Sequence, residues 1–404
     1  VVENRIPRGS RVTLHRVEGD LEVEDGVVIE APQGLTVGGG ACFEGSVKIA
    51  GNAECDWLRV EDGELHVAGS LFVRGDVDAE ESVVEVDTDL TARRVEVDKT
   101  LRVGGQLQCE ELEIGGLLKA AVIRCTNMSV GGRVQATADI QARRVEVGGS
   151  LEVAGKLEAS KLEVGGSAKV GGGKVDSVDV GGFFGCEGDL EFDEIDVGGQ
   201  ASFSGNVRGR SVDVGGRVVV NGNFSVEKVD VGGVIDVQGD YSGGRVDVGG
   251  TFRVRGNLSL TGSLEVGGEA EITGQMLGGD VDVGGAFKAR KAVLRGEIEV
   301  GGWLATEEGL KAARIRLGDR SRCTGVIVAD EIFADSHARL EDVYAHRVYF
   351  DRRVEAGRVY AVRAELGDHC YVRELYYVEE LVVGKDTRFA KPPVRLGVQP
   401  TPPL

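Results

Sequence analysis

Proline is almost missing from this chain. Seven prolines occur in 404 residues, and none lies between Pro32 and Pro392. Proline cannot donate a ladder hydrogen bond, so central strands exclude it, whereas ordinary loops accept or favour it. A proline-free run of this length therefore has almost no ordinary loops. Aromatic residues make up only 5% and there are 2 Met; a conventional globular core of this size would draw more on both. No apolar run approaches the roughly 18 residues needed to span a bilayer, and no signal peptide is visible. The seven cysteines (Cys42, Cys55, Cys109, Cys125, Cys186, Cys323 and Cys370) are odd in number and scattered, with no CxxC pair. They read as small buried side chains in a reducing, cytoplasmic compartment. The chain does not begin with Met, so a lost N-terminal segment is compatible with it, and RIPRGS at residues 5–10 is native or includes a tag remnant.

What is present is glycine, 63 residues of it, with 41% hydrophobic residues spread evenly and a net charge of −20. That much apolar content excludes a disordered chain. The string VGG or a close variant has its first Gly at 131, 148, 165, 181, 198, 215, 232, 249, 267, 284 and 301, and as LGD at 318. Successive positions differ by 17, with a single 16 and a single 18. A degenerate form, VEVD at 95–98 and LEIG at 112–115, precedes them at the same spacing. Repetition at a fixed short period is the signature of a solenoid.

One unit, residues 148–164, shows its construction. The pairs Leu151/Val153, Leu157/Ala159 and Leu162/Val164 each alternate at i, i+2, the period of a strand, with Glu152, Glu158 and Glu163 between them pointing outward. Three short strands in each repeat make one triangular coil of a parallel β-helix. One coil cannot bury its inward face alone; stacked coils bury it and satisfy each other's backbone. Gly pairs at corners are expected to supply dihedrals that other residues reach only at a cost. Residues 12–389 would form about 22 coils and, at a strand spacing of roughly 4.8 Å, a rod on the order of 105 Å long.

The expected organisation is an N-terminal tail (1–11), an acidic Gly-cornered solenoid (12–310), Tyr- and Arg-rich coils continuing it (311–391), and a proline-rich tail (392–404) that cannot extend the ladder. Residues 311–404 hold 16 Lys+Arg and 14 Asp+Glu, leaving 31 against 53 for the rest. Six of the seven Tyr lie beyond residue 311. Leu317, Ala334, Phe350, Leu366 and Val383 continue the inward positions.

Two outward features stand out. Glu146, Glu163, Asp179, Asp196, Asp213, Asp230, Asp247, Glu265, Asp282 and Glu299 form a carboxylate column on successive coils. Unit charges about 4.8 Å apart repel by roughly 0.9 kcal/mol per pair even in bulk water. Flanking Arg144, Lys161, Lys228 and Arg245, cations or a basic partner would offset this. The column continues as Arg316, Phe333, Tyr349, Glu365 and Val382, and a neighbouring column reads Ile327, Tyr344, Tyr360 and Tyr376. Two adjacent columns thus turn aromatic together, which implies either a contact surface or packing beneath a returning tail. Phe389, just before Pro392 and Pro393, is expected to cover or mediate the C-terminal end.

Catalytic and ligand-binding signatures are absent. There is no GxSxG, no P-loop, no GxGxxG opening a helix and no calcium-binding GGxGxD repeat. His15, His66, His337, His346 and His369 have no metal-ligand spacing and read as solvated, at coil offsets that share no face. No cofactor, metal or nucleic acid is expected. A β-helix enzyme would need protruding loops or long coils to shape a pocket, and so short a period has room for neither.

The repeat VEVGGSLEVAGKLEASKLEVGG resembles the bactofilins, the polymer-forming cytoskeletal proteins. So does the run LGDRSRCTGVIVADEIFADSHARLEDVYAHRVYF and, further on, AELGDHCYVRELYYVEELVVGKDTRF ahead of a proline-rich tail. The resemblance covers about residues 12–391. It implies a right-handed triangular β-helix that joins end to end into nucleotide-free filaments, sometimes anchored to membrane. The chain differs from the family in being several times longer than a typical bactofilin core and in lacking a clear flexible N-terminal tail. The expectation is a non-enzymatic, self-assembling scaffold; the alternative is a rod that binds a protein partner through its aromatic face without polymerising.

Overall fold

A computed structural model describes residues 4–403. The protein is all-β, a β-solenoid of about 23 turns whose parallel strands stack about 17 residues apart. Among the described residues there is no helix, and so none long and apolar enough to cross a membrane. The chain divides into two compact units, Val1–Gly199 and Gln200–Leu404, both built from coils of this kind. The change of composition near residue 311 falls inside one strand of the second unit, Trp303–Leu317.

In the first unit the coil at 150–164 behaves as its pattern requires. Leu151, Val153, Leu157, Ala159, Leu162 and Val164 are buried. They stack in register on Val134, Ala136, Ile140, Ala142, Val145 and Val147 of the coil before. Hydrogen bonding does not stop at every corner, and Ser150–Val164 is a single ladder of 15 residues that bends at a register shift between Val153 and Lys156. At that corner the Asp139 carboxylate accepts the Lys156 N–H at 2.8 Å, supplying a bond the backbone ladder skips.

The second unit repeats this device as a chain of side-chain caps. Asn206, Asn223, Asp240 and Asn257 each accept, through Oδ1, an N–H from the next coil on, at 2.7–3.0 Å. Asn and Asp suit the task because their short side chains readily replace a backbone acceptor. The bore also takes large rings that the valine-rich repeat does not advertise. Phe224 lies 5.0 Å and Phe252 6.1 Å from Tyr241, centroid to centroid. The Tyr241 hydroxyl donates to the Val226 carbonyl at 3.4 Å, and burial raises its pKa.

The corner glycines act differently from the expectation. Among the described residues positive φ occurs at ten glycines, and of these only Gly172 lies in a VGG string, outside the regular glycine column. The VGG glycines are needed for close approach: a Cβ on Gly165 would sit 2.4 Å from the Gly148 carbonyl oxygen, and one on Gly148 2.5 Å from that of Gly131. Left-handed non-glycine residues occur singly at Asp62 and Glu81 and recur from coil to coil in the C-terminal region. Arg320, His337, Arg353, His369 and Asp386 have φ of 56°, 64°, 57°, 59° and 55°. They repeat at one corner, where the N–H of Arg320, His337, Arg353 and His369 bonds to the carbonyls of Ser336, Arg352, Asp368 and Lys385. His337 and His369 therefore do share a position on the coil, contrary to the sequence expectation, because the coils between them are each shorter by a single residue than the common repeat.

Both expected tails carry ladder strands. Asn4–Ile6 pairs with Leu21–Val23. Beyond Pro392 and Pro393, Val394 and Arg395 pair with Tyr376 and Tyr377. The prolines occupy a corner, where no ladder donor is required, so they interrupt the ladder without ending it.

Candidate interaction surfaces

The carboxylate column is real in register. Glu146, Glu163, Asp179 and Asp196 occupy successive paired positions in the first unit. Asp213, Asp230, Asp247, Glu265, Asp282 and Glu299 do so in the second. Because the glycine column beside it has no side chains, the backbone there forms the floor of a trough. A groove of about 500 Å³ runs along Glu146, Glu163 and Asp179 above Gly131, Gly148, Gly165 and Gly181. Neutralisation is partial. Arg144 pairs with Glu146 and, at 3.3 Å, with Glu163; Lys161 pairs with Glu163; Arg245 reaches Glu265 at 2.9 Å. The Lys161 hydrogen bond is the main cause of a lowered pKa at Glu163. Among the described residues no salt bridge reaches Asp179, Asp230, Asp247, Asp282 or Glu299.

From Glu299 the same column passes to Arg316, Phe333, Tyr349, Glu365 and Val382. Phe333 and Tyr349 stack at 4.8 Å, with the Arg316 guanidinium 5.6 Å from the Phe333 ring. Beside them a groove of about 460 Å³ is lined by Phe333, Tyr349, Phe350, Leu366, Val382 and Val383. The next column out is a ladder of charges: Arg314 bridges Glu297 at 3.3 Å and Glu331 at 2.9 Å, and Arg347 returns to Glu331 at 3.1 Å. Comparison with family models, curated proteins and solved structures finds no match for this chain. The surfaces must therefore be read from their own chemistry.

Tyr344, Tyr360 and Tyr376 stack on one side, 4.6 and 4.8 Å apart and nearly parallel. Val328 precedes them in this column, itself preceded by Lys311. Ile327, expected there, pairs with Val343 and is fully buried, since the coil leading to Tyr344 is shorter by a single residue than the expectation assumed. After Tyr376 the column continues into the tail as Val394. The tail then turns back: Leu396 N–H donates to the Tyr377 carbonyl at 2.7 Å, and the Gln399 side-chain amide donates to the carbonyls of Ala345 and Tyr360 at 3.0 Å each. Sequence reasoning offered a returning tail as one of two readings of these tyrosines, and the Gln399 bonds are those of such a tail. Phe333 and Tyr349 have no such bond from the tail among the described residues.

Removing residues 392–404 should consequently loosen the tyrosine side. Three hydrogen bonds at about 0.5–1.5 kcal/mol each correspond to a roughly tenfold to thousandfold loss of amide protection nearby. Hydrogen exchange of the Tyr371–Val383 strand measures it, and unchanged protection would show that the tail contributes nothing there.

Phe389 pairs with Val372 at the last coil and is half-buried. It continues the inward stack of Leu340, Ala356 and Val372, closing that side of the coil end. The neighbouring side is open. Glu380–Val383 pairs with Arg363–Leu366, and among the described residues no strand lies on its other edge. Val383, expected inward, is accordingly 42% exposed and Val382 47% exposed: with no further coil above it, an inward position is not a buried one.

Proposed function

We propose that this chain is a non-enzymatic structural scaffold that assembles with copies of itself, in the manner of the bactofilins that its repeat resembles. One observation carries the reading. The last coil presents an unpaired strand edge with two exposed valines, Val382 and Val383, next to the end closed by Phe389. A free edge with apolar side chains is a template for another strand, and proteins that remain single normally blunt it with charge or cover it. A second copy would satisfy the backbone groups of Glu380–Val383 and remove both valines from water. The reading places the protein in the cytoplasm, which the seven free thiols support. A membrane link, known in the family, has no feature of this chain behind it.

Val382→Arg combined with Val383→Asp is the test. Two charges on the edge should abolish filaments seen by negative-stain microscopy, while the melting temperature stays within a few degrees, since both side chains are already solvent-facing. Filaments of normal length from the double variant would overturn the edge as the assembly site. Phe389→Arg should act in the same direction through the adjoining side.

A second reading has its own observation. The Phe333–Tyr349 stack, with Arg316 against it and the groove beside it, suits a protein partner on the lateral face, since interfaces favour aromatic residues and Arg. Discrete particles with intact partner binding would favour it over self-assembly.

A further inference from the structure

Two of the seven cysteines meet. In the first unit the ladder pairs Leu107 with Ile123 and Gln108 with Arg124, and the next residues along are Cys109 and Cys125. The Cys109 N–H bonds to the Arg124 carbonyl and the Cys125 N–H to the Gln141 carbonyl, both at 3.0 Å. The two residues are therefore equivalent positions on consecutive coils. Strand neighbours lie about 4.8 Å apart, inside the range of roughly 4.4–6.8 Å between the Cα atoms of a disulfide.

The surroundings favour the pair. The same column carries Ala92 before and Ala142 and Ala159 after, all buried, so no bulky side chain separates or covers the thiols. The neighbouring Cys125 thiol, together with burial, raises the Cys109 pKa. Cys109 is 8% exposed, whereas Cys125 is half-buried and open to reagents. Cys42, the other half-buried cysteine, has Glu22 and Arg59 as its in-register neighbours and no thiol to pair with.

We infer that Cys109 and Cys125 form an oxidisable dithiol site, converted by small-molecule disulfides of the oxidised-glutathione class into a bond that staples two consecutive coils. Cys125, the reachable thiol, loses its proton and attacks the small disulfide, giving a mixed disulfide and releasing one small thiolate. Cys109 then loses its proton and attacks the Cys125 sulfur, forming the protein disulfide and expelling the second small thiolate, which is protonated. Two protein thiols are oxidised and one small disulfide is reduced to two thiols. The second step is intramolecular, so Cys109 needs no access to solvent; its raised pKa makes this step, which requires the Cys109 thiolate, the slower of the two. Closing the bond converts one turn of the solenoid into a covalent ring, which resists separation of those coils by limiting the freedom of the opened chain.

The experiment incubates the native full-length protein with oxidised glutathione and maps the cysteine peptides by mass spectrometry without reduction. A cross-linked peptide pair containing Cys109 and Cys125 is expected, lost again on adding reductant. Amide exchange across residues 110–125 should slow by about a hundredfold in the oxidised form. Cys109→Ser should leave a stable glutathione adduct on Cys125, and Cys125→Ser should leave Cys109 unmodified. A wild-type protein in which Cys125 stops at the mixed disulfide, or in which neither cysteine reacts, overturns the inference.

Discussion

Leu157→Asp should cost several kcal/mol and open the solenoid around it. Leu157 is fully buried, stacked between Ile140 and Gly173 of the adjoining coils. Replacement forfeits the burial of a leucine, about 1.5–3 kcal/mol. It also places a carboxylate among apolar side chains, where an unpaired charge is strongly disfavoured and the group takes up a proton instead. Because a coil is stabilised by its neighbours, the defect should spread to them rather than remain a point. Limited proteolysis is expected to cut within residues 133–180, and the melting temperature should fall sharply. Glu158→Ala, one residue on and facing solvent, should change neither. A Leu157→Asp protein that melts with the wild type would mean that the inward register is wrong by one residue.

Gly165→Val should be nearly as damaging, for a steric reason. The added Cβ would meet the Gly148 carbonyl oxygen at 2.4 Å, and this neighbour is backbone, held by the ladder, so it cannot move aside. Gly165 also donates its N–H to the Val147 carbonyl at 2.9 Å. Prising the coils apart there would weaken that bond as well as the packing. Overpacking at about 1–3 kcal/mol and a weakened hydrogen bond at about 0.5–1.5 kcal/mol together predict a clear loss by thermal or urea unfolding. Gly397→Ala, which has open space around its Cβ position, provides the control. Equal stability for Gly165→Val would show that coil spacing is more compliant than a ladder allows.

The solenoid was legible because its signal is redundant. Each inward pair such as Leu162/Val164 recurs on the next coil as Val178/Val180, so one period fixes the face of every strand. The stacks Tyr344–Tyr360–Tyr376 and Phe333–Tyr349 followed from the same counting. What the sequence hid lies at corners, where the count of residues varies. Ile327 was assigned outward across a corner of unequal length, and the shared corner of His337 and His369 was lost for the same reason. The glycine column misled differently: spacing shows that glycine recurs, but only coordinates show whether φ or a facing carbonyl requires it. The tail was read from its prolines, while the residues that anchor it, Val394, Leu396 and Gln399, form no periodic pattern. The Asn206–Asn223–Asp240–Asn257 caps could have been found, since short amide and acid side chains recurring at the repeat interval are visible in the sequence.

The register shifts between Val103 and Gln106, Val153 and Lys156, Ile272 and Gln275, Ala289 and Lys291, and Ala361 and Arg363 all fall at corners. A residue gained or lost there is taken up on the spot, and the next side resumes with its apolar positions facing inward. The same change within Leu162–Val164 would turn every following side chain on that side inside out. Insertions and deletions should therefore accumulate in this lineage at bends and be purged from the flat sides. Such a chain can vary in length from turn to turn, by drift alone, without losing its architecture.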